Sequence, residues 1–228
     1  MFDNIRPKVS IIDYGMGNLF SVQKACEYVG LEANVTFDQK DILKSDAVIL
    51  PGVGAFGDAM SNLNKLGLVL ALKDLARSGK PFFGICLGMQ LLMSESEEFG
   101  SHQGLNIFPG RVVRFPERDL NGSKIKVPEV GWNEIRMADQ VGAWDDSLLR
   151  GVASGEFMYF VHSFYVVPES KDAVLSVSTY EGIEYCSGIS AGNVFACQYH
   201  PERSGQRGVH IYRNFAKMIK NGGRNNDE

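Results

Sequence analysis

Pro81-Phe-Phe-Gly-Ile-Cys-Leu-Gly-Met-Gln90 is the segment from which the fold of this chain is best predicted. A short apolar run ends at Cys86, a helical pattern follows, and Gly84 and Gly88 stand two residues to either side of the cysteine. This spacing is typical of a nucleophile elbow, with cysteine in place of serine, in which the turn is too tight for larger neighbours. The sulfur would lie at a helix N-terminus, where free N–H groups and the helix dipole favour the thiolate. The segment therefore predicts a strand–turn–helix unit that presents Cys86.

Strands and helices alternate on the N-terminal side of this unit. Apolar runs predict strands at Val9–Asp13, Glu32–Phe37, Ala47–Leu50 and Phe82–Ile85. Between them, apolar residues at helical spacing predict helices over 19–29, around 60–66, and over about 68–77. Such alternation predicts a mostly parallel central sheet with helices on both faces.

The sequence after the elbow is rich in β-strand patterns separated by turn residues. Strands are predicted within Phe108–Phe115, Gly131–Met137, Phe157–Val167 and Val174–Tyr180, followed by a hairpin turn in Ile189–Val194. A further strand, Asn193–Gln198, leads to His200, and Val209–Lys220 predicts a last helix before a frayed tail, 221–228. We therefore expect a single α/β domain over 1–228, with its core at about 9–220 and an antiparallel β extension of the sheet.

Composition excludes several classes of protein. The chain of 228 residues is 44% hydrophobic and 22% charged, which is typical of a folded domain. Its formal net charge of −4 provides no basic field for nucleic acid or for an anionic membrane surface. No apolar run approaches the ~20 residues of a membrane span, and the N-terminal segment lacks the apolar core of a signal peptide. We therefore expect a cytoplasmic protein that binds neither nucleic acid nor membrane.

The cysteines and histidines predict no metal site. Cys26, Cys86, Cys186 and Cys197 are expected to be free thiols, because disulfides are rare in the cytosol. They form no CxxC pair and the four histidines are scattered, so neither a metal nor a cofactor is expected. Cys26 and Cys197 fall on apolar patterns and are interpreted as core residues, whereas Cys186 has no assigned role.

A base for Cys86 is predicted at His200. This histidine follows an apolar strand and precedes Pro201, which turns the chain away from regular structure. In an extended segment, His200 and Glu202 present their side chains to the same side, so that the carboxylate can orient the imidazole. The result would be a Cys-His-Glu triad. Donors for a tetrahedral oxyanion are expected at the N–H of Leu87 and in the glycine loop Pro51-Gly-Val-Gly54.

At this point the motifs resemble a known family. LPGVGAFGDAM (50–60), GICLGMQLL (84–92) and CQYHPE (197–202) together resemble class I glutamine amidotransferases. More narrowly, YGMGN (14–18), PGRVVRF (109–115), VGWN (130–133) and FVHSFY (160–165) are similar to glutaminase subunits of imidazole glycerol phosphate synthases. The resemblance covers about Val9 to Phe215, nearly the whole chain.

The resemblance implies hydrolysis of L-glutamine through a glutamyl thioester on Cys86, with His200 and Glu202 completing the triad. The glutamine contacts that it implies are the backbone of Gly54 and the side chains of Gln90, Glu98 and Ser163. It also implies an oxyanion strand at Gly52-Val53, whose peptide flips when the partner carries its substrate. Ammonia would pass to a TIM-barrel cyclase subunit in a heterodimer, across an interface that includes Asn18, Trp132 and Arg203.

Two departures from the family pattern leave the partner open. Glu129-Val130 precedes Gly131-Trp132-Asn133, where the family usually carries His-Met and faces its partner, and Arg203 stands where the family usually has lysine. Arginine keeps the charge but not the geometry of lysine. A paralogous subunit that supplies ammonia to a sugar-modifying synthase of surface polysaccharides therefore remains an alternative.

Other interpretations use the same residues. Gly52-Val-Gly-Ala-Phe-Gly57 is a literal GxGxxG, typical of dinucleotide-binding oxidoreductases, but the next strand ends in Cys86 rather than in the acidic residue that such a site needs. The elbow would also suit another cysteine enzyme, such as a peptidase, and the domain could be a binding module without catalysis. Taken alone, Cys86 could be a buried core thiol, and Glu98 could belong to a solvated acidic helix end, 95–98. His162 could be structural or could line the site.

Overall fold

The computed structural model describes residues 6–118 and 122–222. Its strands are β1 Lys8–Ile12, β2 Glu32–Thr36, β3 Ala47–Leu50, β4 Phe82–Ile85, β5 Glu95–Ser96, β6 His102–Gln103, β7 Gly110–Arg114, β8 Glu129–Met137, β9 Glu156–His162, β10 Phe164–Pro168, β11 Val174–Tyr180, β12 Ile183–Ala191 and β13 Val194–Cys197. Its helices are α1 Leu19–Tyr28, α2 Gln39–Lys44, α3 Phe56–Lys65, α4 Leu68–Arg77, α5 Leu87–Leu91 and α6 Gly205–Gly222.

The sheet has a parallel half and an antiparallel half. Strands β2, β1, β3, β4 and β13 lie side by side and are parallel. Beyond β13 the sheet continues through β12, β10 and β7 in antiparallel pairs, and β11, β8 and β9 form a branch from β12. The predicted α/β class, with an antiparallel extension of a mostly parallel sheet, is thereby confirmed. Strand β4, which leads to Cys86, lies between β3 and β13.

Helices cover both faces of the parallel half. On one face, Phe83 of β4 packs against Phe215 and Tyr212 of α6, with ring centroids 5.5 and 5.9 Å apart, and α1 contributes to the same buried cluster. On the other face, buried residues of α2 to α5 form a second cluster with β3 and β4. Because β4 is covered on both sides, its end is held rigidly where Cys86 begins the next helix. Within the described ranges, no helix combines the length and hydropathy that a bilayer span requires.

The structure corrects several predicted boundaries. The single run predicted at Phe157–Val167 is two strands, because the chain leaves its pairing with β8 at His162 and joins β7 and β12 after Ser163. Helix α6 begins at Gly205, before the predicted start, and continues to Gly222, so residues 221 and 222 of the predicted frayed tail are helical. The rest of that tail, 223–228, lies outside the described residues. The sequence analysis did not predict α2 or β12.

Candidate active site

Cys86 has the backbone of a nucleophile elbow. It lies between β4 and α5 with φ 54° and ψ −111°, a left-handed conformation that is unusual for a residue with a side chain. Its N–H donates to the carbonyl oxygen of Cys197 at 2.8 Å, which ties the elbow to the neighbouring strand β13. The predicted strand–turn–helix geometry is confirmed.

The two glycines of the elbow are required by close packing. A Cβ on Gly88 would overlap the carbonyl oxygen of Leu50 at the end of β3. A Cβ on Gly84 would lie 2.9 Å from the Cβ of Ala196 in β13, closer than real Cβ atoms approach. Strands β3 and β13 therefore pack directly against the backbone of the elbow, which is possible only because positions 84 and 88 have no side chain.

His200 and Glu202 form the expected pair. His200 Nδ1 and Glu202 Oε1 are 2.7 Å apart, and the two side chains are only 4% and 1% exposed. A 3₁₀ turn, Pro201–Arg203, follows His200 and is held by Ser204, whose hydroxyl donates to the carbonyl oxygen of His200 at 2.7 Å. Glu202 thereby occupies Nδ1 and leaves Nε2 as the nitrogen that faces the reaction.

The electrostatic setting of His200 includes Cys86. Burial by itself would lower the pKa of His200, but the negative charges of a Cys86 thiolate and of the Glu202 carboxylate, together with the hydrogen bond to Glu202, raise the pKa from 6.5 to about 10. Since Nδ1 is bonded to Glu202, Nε2 is the nitrogen left for the sulfur, and it forms no hydrogen bond among the described residues. The arrangement therefore favours a protonated imidazole ring beside Cys86.

A cavity of about 440 Å³ opens beside this pair. Its lining includes the predicted residues Val53, Gly54, Cys86, Leu87, Gln90, Glu98, Ser163 and Arg203. It also includes Pro128, Val161, His162 and Phe164, of which only His162 was considered from sequence. Gly52, in the same loop as Val53 and Gly54, is not part of the lining. The structure thus places the predicted substrate contacts around one cavity beside Cys86.

Glu98 is a buried residue rather than part of a solvated helix end. It follows the short strand β5, is 9% exposed, and accepts a hydrogen bond of 2.6 Å from the N–H of Phe56 at the start of α3. Burial raises the pKa of Glu98, while the Phe56 N–H and the nearby His102 oppose that shift. One carboxylate oxygen is held by the backbone, and the residue lines the cavity with the other available to a ligand.

The glycine loop after β3 is anchored from behind by Tyr14. The Tyr14 hydroxyl donates to the carbonyl oxygen of Pro51 at 2.7 Å, and a Cβ on Gly52 would overlap that hydroxyl. Gly54 has φ 108°, a conformation that favours glycine, while Val53 is 42% exposed. The loop therefore has its first peptide fixed, and its Gly52–Val53 peptide lies between that anchor and the cavity.

Comparison with known proteins agrees with this geometry. The sequence model of the family "Glutamine amidotransferase class-I" matches residues 10–219. The chain belongs to the class I glutamine amidotransferases. Among curated proteins, imidazole glycerol phosphate synthase subunit HisH of Syntrophotalea carbinolica is 50% identical over 92% of this chain and 100% of its own. Subunit HisH of Geobacter sulfurreducens is 47% identical over 92% of this chain and 99% of its own.

Solved structures of this family share the fold of the amidotransferase. The structure of PurLQS from Thermotoga maritima has a TM-score of 0.68 at 21% identity and covers 95% of this chain and 99% of its own. The glutaminase domain of Trypanosoma brucei CTPS, solved with bound acivicin, has a TM-score of 0.63 at 15% identity, with 94% of each chain covered. The predicted family and the narrower resemblance to imidazole glycerol phosphate synthase glutaminase subunits are confirmed. Neither the polysaccharide paralogue nor the dinucleotide-binding alternative is favoured.

Glu129, the departure expected to face a partner, lies inside the amidotransferase. Its side chain is 4% exposed and receives hydrogen bonds from Asn133 Nδ2 and the Tyr185 hydroxyl, both at 2.8 Å. His162 Nε2 lies 3.2 Å from the same carboxylate, and His162 Nδ1 is 2.9 Å from the carbonyl oxygen of Phe164. Strand β8 alternates, so Glu129 points inward while Val130 points outward. The departure from the family pattern therefore lies behind His162, which lines the cavity, rather than on the outer surface.

The expected interface residues lie at the surface. Trp132 is 56% exposed on β8 and packs edge-on against Tyr159 of β9, with ring centroids 6.2 Å apart. The Arg203 guanidinium lies 4.3 Å above the same tyrosine ring and also lines the cavity. Asn18 is exposed and caps α1 by accepting from the N–H of Ser21. Trp132, Tyr159 and Arg203 thus pack against one another, and Arg203 connects this group to the cavity.

Sequence reasoning missed Tyr14, Gln198 and the inward role of Glu129. Gln198 stands inside the quoted CQYHPE motif, two residues before His200, and the alternation of an extended chain could have placed it on the side of the nucleophile. Tyr14 contacts Pro51 and Glu129 contacts His162, and both contacts join residues that are far apart in the sequence. No local pattern of residues predicts such contacts.

Proposed function

We propose that the chain is the glutaminase subunit of an imidazole glycerol phosphate synthase, which hydrolyses L-glutamine at Cys86 and supplies ammonia to a cyclase subunit in histidine biosynthesis. The observation that carries the chemistry is the bond of 2.7 Å between His200 Nδ1 and Glu202, which leaves Nε2 to Cys86. The observation that carries the pathway is near-complete coverage by relatives named as that synthase subunit.

The proposed reaction begins with proton transfer from the Cys86 thiol to His200 Nε2. The thiolate attacks the side-chain carboxamide carbon of glutamine, and the resulting oxyanion accepts hydrogen bonds from the N–H of Leu87 and from the Gly52-Val53 strand. The His200 imidazolium then protonates the leaving nitrogen, the C–N bond breaks, and ammonia departs. Water, activated by the neutral imidazole, hydrolyses the thioester to glutamate and restores the thiol.

Four residues are proposed to hold the substrate. Glu98 would bind the α-ammonium group of glutamine with the carboxylate oxygen that Phe56 leaves free. Gln90 uses its amide nitrogen for internal hydrogen bonds, so its oxygen would accept from the substrate. The Ser163 hydroxyl and the Gly54 backbone would complete the contacts, since both line the same cavity.

A TIM-barrel cyclase is the partner that we propose, in a cytoplasmic heterodimer. Asn18, Trp132 and Arg203 would contact it, because all three are exposed and Arg203 also borders the catalytic cavity. An interface there would let ammonia pass without meeting water, where it becomes ammonium and ceases to be nucleophilic. We further propose that 1–228 is a single domain, since the described strands share one sheet.

The decisive experiment uses Cys86→Ala in the complex with the cyclase subunit. We expect glutamine-dependent synthesis to be lost and synthesis from ammonium salts to continue, because the change removes only the acyl acceptor. Cys186→Ala, a buried cysteine far from the cavity lining, is the matched control and should keep both activities. Retained glutaminase activity in Cys86→Ala, or equal loss of both activities, would contradict the proposal.

A further inference from the structure

Gln198 is a fully buried polar residue beside the nucleophile. It follows β13, is 0% exposed, and its backbone N–H donates to the carbonyl oxygen of Ser187 at 2.9 Å. Its side-chain Nε2 lies 3.6 Å from Cys86 Sγ, within the range of an N–H···S hydrogen bond. We propose that Gln198 is a catalytic residue whose amide donates to the Cys86 sulfur and stabilises the attacking thiolate. The inference rests on the proposed function in taking Cys86 as the nucleophile.

The direction of this hydrogen bond is set by Gln90. Gln90 Nε2 donates to the carbonyl oxygen of Phe164 at 3.0 Å and to Gln198 Oε1 at 3.1 Å, which uses both of its N–H groups. If the Gln198 amide were reversed, two NH₂ groups would face each other in a buried site. Gln198 therefore directs its oxygen to Gln90 and its nitrogen to the sulfur.

Two groups from neighbouring positions of the chain interact with the same sulfur. Gln198 Nε2 hydrogen-bonds it and His200 interacts with its charge, while Tyr199 between them is buried in the core. The two groups differ in chemistry, because the imidazole exchanges a proton with the sulfur and the amide cannot. The Gln198 amide can therefore donate its hydrogen bond whether the exchanged proton is on Cys86 or on His200.

A donated N–H favours the charged form of the acceptor. Hydrogen bonds to ionised groups are stronger than those to neutral groups, so the Gln198 amide binds the thiolate more tightly than the thiol or the thioester. Because Gln90 lines the cavity, one hydrogen bond links a proposed substrate contact to the residue that holds the nucleophile. The other ionisable groups that interact with Cys86 or line its cavity are Tyr14, Cys197, His200, Glu98, His162 and Arg203.

The test measures how fast iodoacetamide alkylates Cys86 in the full chain, with the modified peptide identified by mass spectrometry. Gln198→Met keeps the length of the side chain and removes the donor. We expect alkylation at about pH 7 to slow at least tenfold, since a hydrogen bond to a charged group contributes about one to two powers of ten. The deficit should narrow as the pH rises, because alkali then forms the thiolate unaided. Gln103→Met, an exposed glutamine on β6, is the control and should react like the wild type.

A second variant keeps the test independent of packing. Gln198→Glu preserves the shape but presents an acceptor to the thiolate, so we expect a larger loss than in Gln198→Met, with circular dichroism confirming that each variant is folded. Wild-type alkylation rates in either folded variant would overturn the role of Gln198. Alkylation needs no glutamine, so that outcome would leave the proposed function intact. Conversely, glutaminase activity that survives in Cys86→Ala would contradict the proposed function. The alkylation rates would still show whether Gln198 donates a hydrogen bond to the Cys86 sulfur.

Discussion

Two histidine–carboxylate pairs flank the catalytic cavity, and they differ in what each histidine leaves free. His200 bonds Glu202 through Nδ1 at 2.7 Å and keeps Nε2 for Cys86. His162 has Nε2 3.2 Å from Glu129 and Nδ1 2.9 Å from a backbone carbonyl oxygen, so both ring nitrogens face acceptors. Both pairs are buried, yet only the first retains a nitrogen that can exchange a proton with the nucleophile.

The comparison distinguishes the proposed base, His200, from His162, which positions a strand. His162 Nδ1 lies 2.9 Å from the carbonyl oxygen of Phe164 and Nε2 lies 3.2 Å from Glu129, with which His162 also pairs through the backbone, so the residue holds the end of β9 against β8. That end matters to the site because Val161, His162 and Ser163 line the cavity. We therefore expect changes at the first pair to stop the chemistry, and changes at the second to alter the binding of glutamine and the stability of the fold.

The largest effect is expected for His200→Ala. Without the imidazole, nothing removes the thiol proton or protonates the leaving nitrogen, so the kcat of glutamine hydrolysis should fall by about 10³-fold or more. Ammonium-dependent synthesis in the complex should stay unchanged, and isothermal titration should still detect glutamine binding. If binding is lost together with turnover, His200 has a structural role instead.

Glu202→Gln should have the next largest effect. The amide can still occupy the position beside Nδ1, but it loses the negative charge that stabilises the imidazolium, so kcat should fall by about 10²-fold or more with little change in KM. Steady-state glutaminase assays measure both constants. An increase in KM at an unchanged kcat would show that Glu202 supports the cavity rather than the base.

Glu129→Gln tests the second pair. The buried Glu129 carboxylate accepts hydrogen bonds from Asn133 and Tyr185, which the neutral amide cannot all replace, and we expect the free energy of unfolding to fall by about 3 kcal/mol. The KM for glutamine should rise because the cavity wall loosens, whereas kcat should change less than in Glu202→Gln. Glu134→Gln, exposed on the same strand, is the matched control and should behave as the wild type. A kcat loss as large as that of Glu202→Gln would place Glu129 in the chemistry.

The smallest effect is a pH dependence of stability. The pKa of His200 is raised to about 10 in the folded state, so the folded state binds the proton more tightly than the unfolded chain. This contribution is fully present below the unfolded value of 6.5 and is lost as the pH rises through about 10. Because the shift depends on a Cys86 thiolate, and an unfolded cysteine keeps its proton up to about pH 8.5, the melting temperature of the wild type should fall by a few degrees more than that of His200→Asn between about pH 8.5 and pH 10. Parallel curves for the two proteins would contradict the interaction between His200 and Cys86.

Local sequence determined most of the first pair and its surroundings. The elbow and the strands before it depend on residues a few positions apart, where glycine sterics have few solutions. The pairing of His200 with Glu202 was predicted from an extended chain, whereas it forms across the 3₁₀ turn Pro201–Arg203. The single strand predicted over Phe157–Val167 shows the limit of such local reasoning. The run Phe157–Val167 is apolar throughout, and only its pairing partners divide it into two strands at the cavity.

Tertiary structure alone decided the rest of the site. Glu129 was expected to face a partner, Glu98 could have been a solvated acid, and Gln198 had no role until the packing placed its amide against Cys86. The sequence by itself predicted the class of fold, which the structure confirms, and the proposed nucleophile and base, because those signals come from neighbours along the chain. It did not determine which buried polar groups meet across the sheet, because their partners are set by strand order and burial, which no short stretch of residues encodes.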